Sequence, residues 1–508
     1  MFSRALVGLL ALVCAGTALA AEPTAGLDAA INTAITPFAN ALSGVIFYAV
    51  DIGGVKVPLI VGWLIIAAAF FTVRLGFINL RGFGHALRLV RGDYSDPNST
   101  GEVSHFQALA TAVSGTVGLG NIAGVAIAIS IGGPGAAFWM VLAGFLGMST
   151  KFVECTLGVK YRQTNADGSV SGGPMYYLRH GLAEIGLPRL GRWMALAFAV
   201  CCIGGTLGAG NLFQINQVYQ QMVNITGGAG SVLAGNAALF GIAWAVVLGL
   251  VIIGGIKSIA KVTDKLVPFM AVLYIGSALI VLLTNAAHIP DAFAAIFNGA
   301  FSAEGVAGGV IGAMIQGFRR AAFSNEAGIG TSPIAHAAVK TDTPVTEGFV
   351  SLLEPFIDTI VICTMTALVM VVTGMYTQPG MSGVELTSAA FGSVHPFFRY
   401  VLTASVVLFA FSTQISYSYY GLKAWTYLFG ESRAMDVSFK LLFLVVCVIG
   451  CTLSLDTVVD VSDAMFFSMG VVNIIGLYLL AGVVRTDLAT YWKRLQRGEL
   501  KLAAAAAQ

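Results

Sequence analysis

The sequence predicts an all-α polytopic membrane protein, a fold class supported by its composition, its hydropathy and the lengths of its apolar runs. Apolar residues make up 57% of the 508 residues and charged residues only 10%, whereas soluble domains carry about 25% charged residues. The mean hydropathy is +0.84. Apolar runs of about 20 residues, the length that crosses a bilayer, recur along the chain. Lipid must therefore cover most of the surface.

Residues 1–20 have the pattern of a secretory signal peptide. Arg4 precedes an apolar run over residues 5–17, and residues 18–20 end the segment as A-x-A. These features are typical of a leader that is cleaved, here after Ala20. An uncleaved anchor is the alternative, and the shortness of the apolar run disfavours it.

Residues 21–56 form a predicted extracytoplasmic segment, and about eleven membrane spans follow it. Within that segment, residues 25–53 are mildly amphipathic and lack Lys and Arg, so we expect a short helix at the outer interface. The spans lie near residues 57–79 (span one), 105–131 (span two), 135–160 (span three), 192–222 (span four), 235–256 (span five), 266–285 (span six), 306–340 (span seven), 347–374 (span eight), 396–427 (span nine), 437–455 (span ten) and 460–484 (span eleven).

Lysine and arginine decide the predicted orientation, because cytoplasmic loops carry an excess of both. One set of loops, together with the tail after span eleven, holds Arg81, Arg88, Arg91, Lys160, Arg162, Arg179, Arg189, Arg192, Lys257, Lys261, Lys265, Lys340, Lys423, Arg433, Lys440, Arg485, Lys493, Arg494, Arg497 and Lys501. The opposite loops hold little beyond Lys56 and Arg399. The N-terminus is therefore predicted outside and the C-terminus inside, which agrees with a leader and with a multi-pass protein of the cell inner membrane.

Charge, cysteines and motifs argue against other functional classes. The 27 basic and 25 acidic residues leave a net charge of +2, which excludes disorder and nucleic-acid binding as main themes. The cysteines after the leader form no CxxC pair, so we interpret them as small buried hydrophobes, and we expect no bound cofactor. A passive channel would need a repeated polar ring, and an intramembrane enzyme would need a motif such as HExxH or GxSxG; neither pattern occurs.

Two spans contain clusters of glycine and polar residues that a purely supporting helix would avoid. Residues 114–124 of span two read SGTVGLGNIAG, and residues 318–333 of span seven read FRRAAFSNEAGIGTSP. Unwound backbone at membrane depth is prohibitive unless it lines a cavity or binds a ligand. Its carbonyls suit a cation, and the next half-helix presents N–H groups to a carboxylate. A glycine seam between closely packed helices is the alternative for either segment alone.

The two breaks open two blocks of five spans each. Residues 105–285 hold spans two to six and residues 286–485 hold spans seven to eleven. An odd number of spans per block inverts the second block relative to the first, and broken helices in corresponding positions indicate the central site of a secondary transporter. Residues 57–104 add one extra span and a loop, and residues 486–508 form a cytoplasmic tail.

Several different short motifs follow one another between residue 57 and the end of span eleven. They are GLGNIAGVA at 118–126, GGPGA at 132–136, GGPMYY at 172–177, GNLFQ at 210–214, FSNEAG at 323–328, AHAA at 335–338, FST at 411–413 and SYYG at 418–421. Together they resemble the signature of the alanine or glycine:cation symporter family, a sodium:alanine symporter family within the LeuT-type amino-acid transporter superfamily.

The resemblance implies a LeuT-type core of five plus five inverted spans after one extra N-terminal span. It also implies uptake of a small neutral amino acid such as alanine or glycine, driven by sodium or sometimes by protons. In this family the last span often carries a Trp shortly before an Asp. Asp463 fits that Asp, but the preceding region reads Val458-Val459-Asp460. The choice among alanine, glycine, serine and glutamine therefore stays open.

Candidate substrate ligands lie first in the break of span two. Glycine lets backbone approach a substrate carboxylate, so we expect the free backbone of Gly118, Leu119 and Gly120 to bind it, with Thr116 and Asn121 as side-chain partners.

The break of span seven and one residue of span four complete the predicted pocket. Phe318, Phe323, Ser324 and Asn325 are expected to close it from the opposite side. Gln214 can accept a hydrogen bond from an ammonium group without burying a second charge. A hydrogen bond between helices is its alternative role.

The resemblance also implies a sodium site between spans two and nine. Sodium is a hard cation that prefers oxygen ligands, which the hydroxyls of Ser412 and Thr413 and the carbonyls of Gly115 and Gly118 would supply. A serine in an apolar helix can instead bond to a carbonyl of its own helix.

Charged residues at membrane depth are functional candidates by default. We interpret Arg319, Arg320 and Glu326 as a gate or a structural support. Lys151 and Glu154 lie on one helix face, three residues apart, and are expected to pair with each other.

Three ionisable residues lie toward the predicted cytoplasmic ends of spans seven and eight. Glu354 and Asp358 share one face of span eight and either carry a proton or serve in capping and pairing. His336 is expected to be a hydrogen-bonded packing residue, since a lone histidine more often has that role than a proton carrier's.

Overall fold

The computed structural model describes residues 25–52, 55–94, 99–165, 168–302, 309–378 and 380–500, apart from the side chains of residues 25–32, 34 and 52. The predicted leader lies outside these residues. Helices account for most of the described chain, and apolar side chains occupy one continuous core between them.

A helix occupies each predicted span. The bounds are Leu59–Arg74 (span one), His105–Thr116, Gly120–Gly124 and Val125–Gly132 (span two), Gly135–Lys160 (span three), Pro188–Leu207, Gly208–Leu212 and Phe213–Ile225 (span four), Ala237–Ile252 (span five), Gly255–Thr284 (span six), Gly309–Asn325 and Ser332–His336 (span seven), Val345–Ser351, Leu353–Pro355, Phe356–Cys363 and Thr364–Val372 (span eight), Phe397–Phe429 (span nine), Arg433–Thr452 (span ten) and Leu455–Gln496 (span eleven).

Length and composition identify a multi-pass membrane protein. Among the described residues, seven helices are long and apolar enough to cross a membrane, or eight if the bent pair in span two counts as one span. The helices of spans one and five are apolar but only 16 residues long, and span seven is divided. The total of eleven spans, the division into two inverted blocks and the orientation stay predictions.

The segment before span one has more structure than the sequence predicts. Its helix, Ala25–Ile46, is 22 residues long and packs along span eleven, where the rings of Phe47 and Phe467 lie 5.4 Å apart. Strands β1 (Ala49–Ile52) and β2 (Val55–Pro58) then form an antiparallel hairpin.

Further short elements connect the spans. The second antiparallel pair, β3 (Gln163–Thr164) and β4 (Val170–Ser171), follows span three. The remaining helices are Ile78–Arg81, Phe83–Val90, Pro174–Tyr176, Tyr177–Gly181, Leu182–Glu184, Gly228–Gly230, Ala286–His288, Ile289–Phe301, Met375–Thr377 and Gly383–Gly392.

Span two begins with a strong cap and breaks where the sequence predicts. Ser104 accepts a hydrogen bond from the Gln107 amide, and the Gln107 side chain returns one to the Ser104 amide, which is a capping box. The helix ends at Thr116 and resumes at Gly120 with a bend of 51°. At Gly118 a Cβ atom would lie 2.5 Å from the Thr413 hydroxyl, so only glycine lets spans two and nine approach this closely.

Span seven breaks through left-handed backbone. The helix stops at Asn325, and Glu326, Gly328 and Gly330 have φ values of 59°, 90° and 97°. A left-handed conformation is costly for a residue with a side chain, so Glu326 holds it only because its surroundings fix it. The helix restarts as Ser332–His336, the half of the span that is predicted to lie toward the cytoplasm and is called its inner half below.

Close helix packing at a second glycine leads to a test of the fold. A Cβ atom on Gly210 would lie 1.9 Å from Cδ1 of the Tyr417 ring, whereas one on Gly276 would meet no atom within 4 Å. We expect Gly210→Ala to displace the ring and lower the free energy of unfolding by about 1–3 kcal/mol, seen as a lower apparent Tm in detergent.

Gly276→Ala is the matched control for this substitution. Since alanine favours helix and has room at this position, we expect an unchanged or higher Tm. Equal Tm values for the two variants would contradict the packing of span four on span nine.

Candidate functional site

The two breaks lie against each other in the interior. A Cβ atom on Gly120 would lie 3.4 Å from Cα of Ser324 and 3.5 Å from Cδ1 of Phe323. All three residues are buried. The structure thus brings together two of the predicted binding segments, which are about two hundred residues apart in the chain.

Asn121 links the first break to span eight. Its Oδ1 accepts a hydrogen bond from the Gly118 amide at 2.9 Å. Its Nδ2 donates to Asp358, at 2.6 Å to Oδ1 and 3.1 Å to the carbonyl oxygen. Asn121 therefore fixes the turn of the break and points its amide group at a buried carboxylate.

Asp358 is the residue that joins both breaks. Besides the bond from Asn121, its carboxylate accepts hydrogen bonds from Ser324 at 2.8 and 3.0 Å and from Thr359 at 2.7 Å. It is fully buried, and no Lys, Arg or His of the described chain pairs with it within 4 Å. From the sequence, Asp358 is a candidate for carrying a proton or for capping and pairing, and not for the binding site. The feature that points to a functional role for Asp358 is the presence of an acidic residue at membrane depth.

Gln214 reaches the first break from span four. Its Oε1 accepts a hydrogen bond from the Leu119 amide at 3.0 Å, and its Nε2 donates to the Ala209 carbonyl at 3.0 Å. The side chain thus makes a hydrogen bond between spans and occupies an N–H group that the break leaves free.

Aromatic rings close one side of the two breaks. The Phe323 ring lies 5.3 Å from the Phe213 ring and 5.2 Å from the Phe466 ring. Phe318, also predicted to close the pocket, instead lies beside Trp139, with ring centroids 6.4 Å apart. Of the two phenylalanines predicted to close the pocket, Phe323 is therefore the one in contact with the break of span two.

Two further predicted ligands are bonded elsewhere. The Thr116 hydroxyl donates to the Val113 carbonyl of its own helix at 3.3 Å. Asn325 donates to Thr359 at 3.0 Å and accepts from the Ala327 amide at 3.0 Å. Both side chains stabilise the ends of the breaks, and neither is hydrogen-bonded to Asp358.

Hydroxyl and carbonyl oxygens converge where the sodium site is predicted. The Thr413 hydroxyl lies 3.1 Å and the Ser412 hydroxyl 3.4 Å from the Ser114 carbonyl oxygen, and Ser114 in turn donates to the Ser412 carbonyl at 2.8 Å. The carbonyl that faces these hydroxyls is that of Ser114, one residue before Gly115. At Gly115 itself a Cβ atom would lie 3.0 Å from the Tyr420 hydroxyl.

The two arginines of span seven meet an acid of span eleven. Arg319 pairs with Asp463 at 2.7 Å, and Arg320 bonds to the same carboxylate through both of its terminal nitrogens. The guanidinium of Arg319 also lies 4.1 Å from the centre of the Phe47 ring. These contacts join spans seven and eleven to the N-terminal segment.

Glu326 bridges the second break. Its carboxylate accepts hydrogen bonds from Thr331, at the other end of the break, and from Tyr417 of span nine. These bonds explain how the left-handed backbone at this residue is held in place.

The prediction that Lys151 pairs with Glu154 is wrong. Lys151 pairs with Glu354 at 3.2 Å and also bonds to Ser332, whereas Glu154 accepts a hydrogen bond from Asn473 at 2.6 Å. Span three is buried on several sides, so each side chain finds its partner on a different neighbouring span. Spacing along one helix could not reveal this.

The chain can now be placed among known proteins. The sequence profile described as the sodium:alanine symporter family matches residues 45–505. The chain belongs to this family. Membership indicates a transport role and not an enzymatic one, and it agrees with the resemblance found in the motifs.

Relatives in the family carry several substrate names. The sodium/alanine symporter AgcS of Methanococcus maripaludis is 40% identical over 87% of this chain and 96% of its own length. The probable sodium/glutamine symporter GlnT of Bacillus subtilis is 35% identical over 87% of this chain and 89% of its own. The putative sodium/proton-dependent alanine carrier protein YrbD, also of Bacillus subtilis, is 34% identical over 84% of this chain and 88% of its own.

A solved structure shows the fold. The crystal structure of MhsT in complex with L-phenylalanine superposes with a TM-score of 0.52, over 76% of this chain and 98% of that one, at 15% identity. This likeness confirms that the chain has a LeuT-type helical fold.

Substitution of Asp463, the acid that pairs with both Arg319 and Arg320, tests how much this ion pair stabilises the fold. In Asp463→Asn a neutral amide would face two guanidinium groups, and the Arg320 side chain is only 2% exposed. Since breaking a buried ion pair leaves an uncompensated charge, we expect the free energy of unfolding to fall by about 3–5 kcal/mol, measured as a lower apparent Tm in detergent.

Asp460→Asn is the control, because Asp460 lies one turn earlier on the same helix and has no ion-pair partner within 4 Å among the described residues. A fall of the same size in both variants would show that Asp463 has no special part in holding spans seven and eleven together.

Proposed function

We propose that the protein is a sodium-coupled symporter that imports small neutral amino acids, alanine or glycine, by alternating access across the cell inner membrane. The observation that carries this proposal is the carboxylate of Asp358, hydrogen-bonded to both broken helices. A buried carboxylate without a cationic partner is a natural site for an ammonium group.

Both ends of an amino acid find partners at the first break. The ammonium group would bind to Asp358, beside Asn121, and the carboxylate would take the N–H groups of Gly118 and Leu119. Asn121 and Gln214 occupy these two N–H groups in the present arrangement. Binding would therefore exchange internal hydrogen bonds for substrate hydrogen bonds, and the two amide oxygens that it releases would need new donors, which the three N–H groups of the ammonium can supply.

The aromatic rings beside the first break favour a substrate with a small side chain. Phe323 lies against the break at Gly120, and Phe213 and Phe466 back it. An added methyl group fits such a site more readily than a long polar chain. The larger amide of glutamine, suggested by one relative, would require these rings to move apart.

Sodium would bind next to the substrate. The hydroxyls of Ser412 and Thr413 and the carbonyl of Ser114 supply hard oxygen ligands, alongside the carbonyls of Gly115 and Gly118 expected from the family resemblance. A cation here would pull span nine toward span two and hold the break in its binding shape. Such a mutual dependence of the ion and the substrate is a coupling free energy between two sites.

Alternating access needs closures on both sides of the breaks. On the side predicted to face outward, Arg319 and Arg320 pair with Asp463. On the side predicted to face the cytoplasm, Arg162 donates to the carbonyls of Ala337 and Thr341 at 2.8 and 2.6 Å. Transport would open these two closures in turn.

Uptake into proteoliposomes tests the proposal. Labelled L-alanine would be offered with an inward sodium gradient and with equal potassium, while unlabelled glycine, D-alanine, serine and glutamine compete. We expect concentrative uptake that requires sodium. Uptake that is independent of sodium and driven by a pH gradient would indicate coupling to protons. If neither alanine nor any of the competing amino acids is taken up, the proposed substrate class is refuted.

Asp358→Asn tests the ammonium site. The amide keeps the shape of the side chain but removes its charge, so we expect the KM for alanine to rise by about 100-fold, because a buried charged partner contributes roughly 2–5 kcal/mol to binding. Glu385→Gln, a similar change at an exposed acid outside the site, should leave the KM unchanged. An unchanged KM in Asp358→Asn would exclude this residue as the ammonium partner.

Thr413→Val tests the sodium site. Valine has the shape of threonine without the hydroxyl oxygen, so we expect the half-saturating sodium concentration to rise by at least about tenfold, or about 1.4 kcal/mol. Ser405→Ala is the control, because this buried hydroxyl of the same span bonds only to the Val401 carbonyl of its own helix, at 3.1 Å. Equal sodium dependence in both variants would argue against the site.

A further inference from the structure

A cluster of buried ionisable side chains surrounds the inner half of span seven, and transport as proposed above does not use it. His336 lies between two carboxylates, with Nδ1 bonded to Glu347 and Nε2 to Glu354 at 2.8 Å. Glu347 also bonds to His105, and Glu354 pairs with Lys151. These five residues, here called the histidine cluster, are all buried.

The bonding pattern of His336 requires an additional proton. A neutral imidazole has one N–H donor and one nitrogen that accepts. Both ring nitrogens of His336 face carboxylate oxygens, and a carboxylate can only accept. The two bonds can therefore form together only when the ring is an imidazolium or when one of the two acids is protonated.

The charges lead to the same conclusion. Two cations, Lys151 and Arg162, face the four acids Glu154, Glu326, Glu347 and Glu354, so an additional proton reduces the excess of negative charge, which is costly to bury. Among the described residues, the charged and titratable groups that face His336 or its partners are His105, Lys151, Glu154, Cys155, Arg162, Glu326, Glu347, Glu354 and Tyr420.

A metal ion explains the cluster less well than a proton. Cys155, His336 and Glu354 have potential ligand atoms within 4.8 Å of one another. However, both nitrogens of His336 already point at carboxylates, and the second of them, Glu347, is outside that group. A metal would have to displace these bonds, whereas a proton completes them.

The cluster joins the ends of several spans at one closure. His336 ends the inner half of span seven, His105 begins span two, and both bond to Glu347 at the start of span eight. Just beyond, the Lys340 amide donates to the Val103 carbonyl at 2.8 Å, so the chains flanking spans two and seven are also paired through their backbones.

We propose that the histidine cluster is a proton-binding site, and that the bound proton holds the inner half of span seven closed against spans two and eight. When the proton leaves, His336 loses one of its two donors, and two carboxylates face each other with less positive charge between them. The closure then weakens. This proposal does not depend on which amino acid or ion is transported.

Hydrogen–deuterium exchange of the full-length protein in nanodiscs, without substrate and in constant sodium, tests this proposal. Exchange would be measured at several pH values from 6.5 to 9.5 and corrected for the intrinsic effect of pH. We expect protection of residues 332–341 and 103–111 to fall as the pH rises, by up to about tenfold per pH unit once the proton is lost. Protection of residues 309–325, in the other half of span seven, should stay constant.

Two variants identify the site of the proton. His336→Gln removes the titrating ring, so the protection of residues 332–341 should no longer depend on pH. Glu347→Gln leaves one carboxylate beside the ring, so the fall in protection should move to lower pH. If His336→Gln does not fold, the test rests on Glu347→Gln. In this variant the fall in protection either moves to lower pH, as proposed, or stays at the wild-type pH, which contradicts the proposal.

His85→Gln is the matched control. His85 is another buried histidine, bonded to Tyr491 at 2.7 Å, and burial together with the nearby charge of Arg88 lowers the pKa of His85 to about 4. It therefore stays neutral over the pH range of the experiment, and its variant should keep the wild-type profile. Protection that is independent of pH in the wild type, or a wild-type profile in both cluster variants, would overturn the proposal.

Discussion

Asp358, fully buried, receives hydrogen bonds from both broken helices, and the centre of the molecule is arranged around its carboxylate. A carboxyl group at this depth would be costly without partners, and Asn121, Ser324 and Thr359 supply its hydrogen bonds. In return, the carboxylate links the two discontinuous helices to each other. No cation of the described chain pairs with this carboxylate within 4 Å, and this is why we propose it as the partner of a substrate's ammonium group.

The closures above and below this centre are built from ionic groups of a different kind. At one end two arginines share one acid, Asp463, and one of them is partly exposed. At the other end the charges are fully buried and linked through His336. Breaking either arrangement unpairs charges, and the second, in which a histidine lies between two acids, is the one at which we propose that a proton binds. The two ends can therefore respond differently to their surroundings.

Backbone shape, and not only side-chain chemistry, makes this arrangement possible. Gly118 lets the first break approach span nine, and the left-handed turn at Glu326 interrupts span seven while its carboxylate bonds to Thr331 and Tyr417. Wherever a helix is interrupted, hydrogen-bonding groups are freed that must find partners inside the protein. Here the partners are side chains of spans four, eight and nine, so the breaks also determine how those spans pack.

The sequence by itself determined the membrane class, the positions of the helices, both breaks and the family, because hydropathy, glycine clusters and motif order are local properties of the chain. It also predicted Asn121, Gln214 and Thr413 as binding residues, and all three side chains lie at the first break. Partner choice at long range was decided only by the tertiary structure. Lys151 pairs with Glu354 rather than its helix neighbour, Asp358 joins the two breaks, and His336 lies between two acids. Such pairings depend on how helices rotate and pack, and no spacing along one helix specifies which neighbouring span a buried charge will meet.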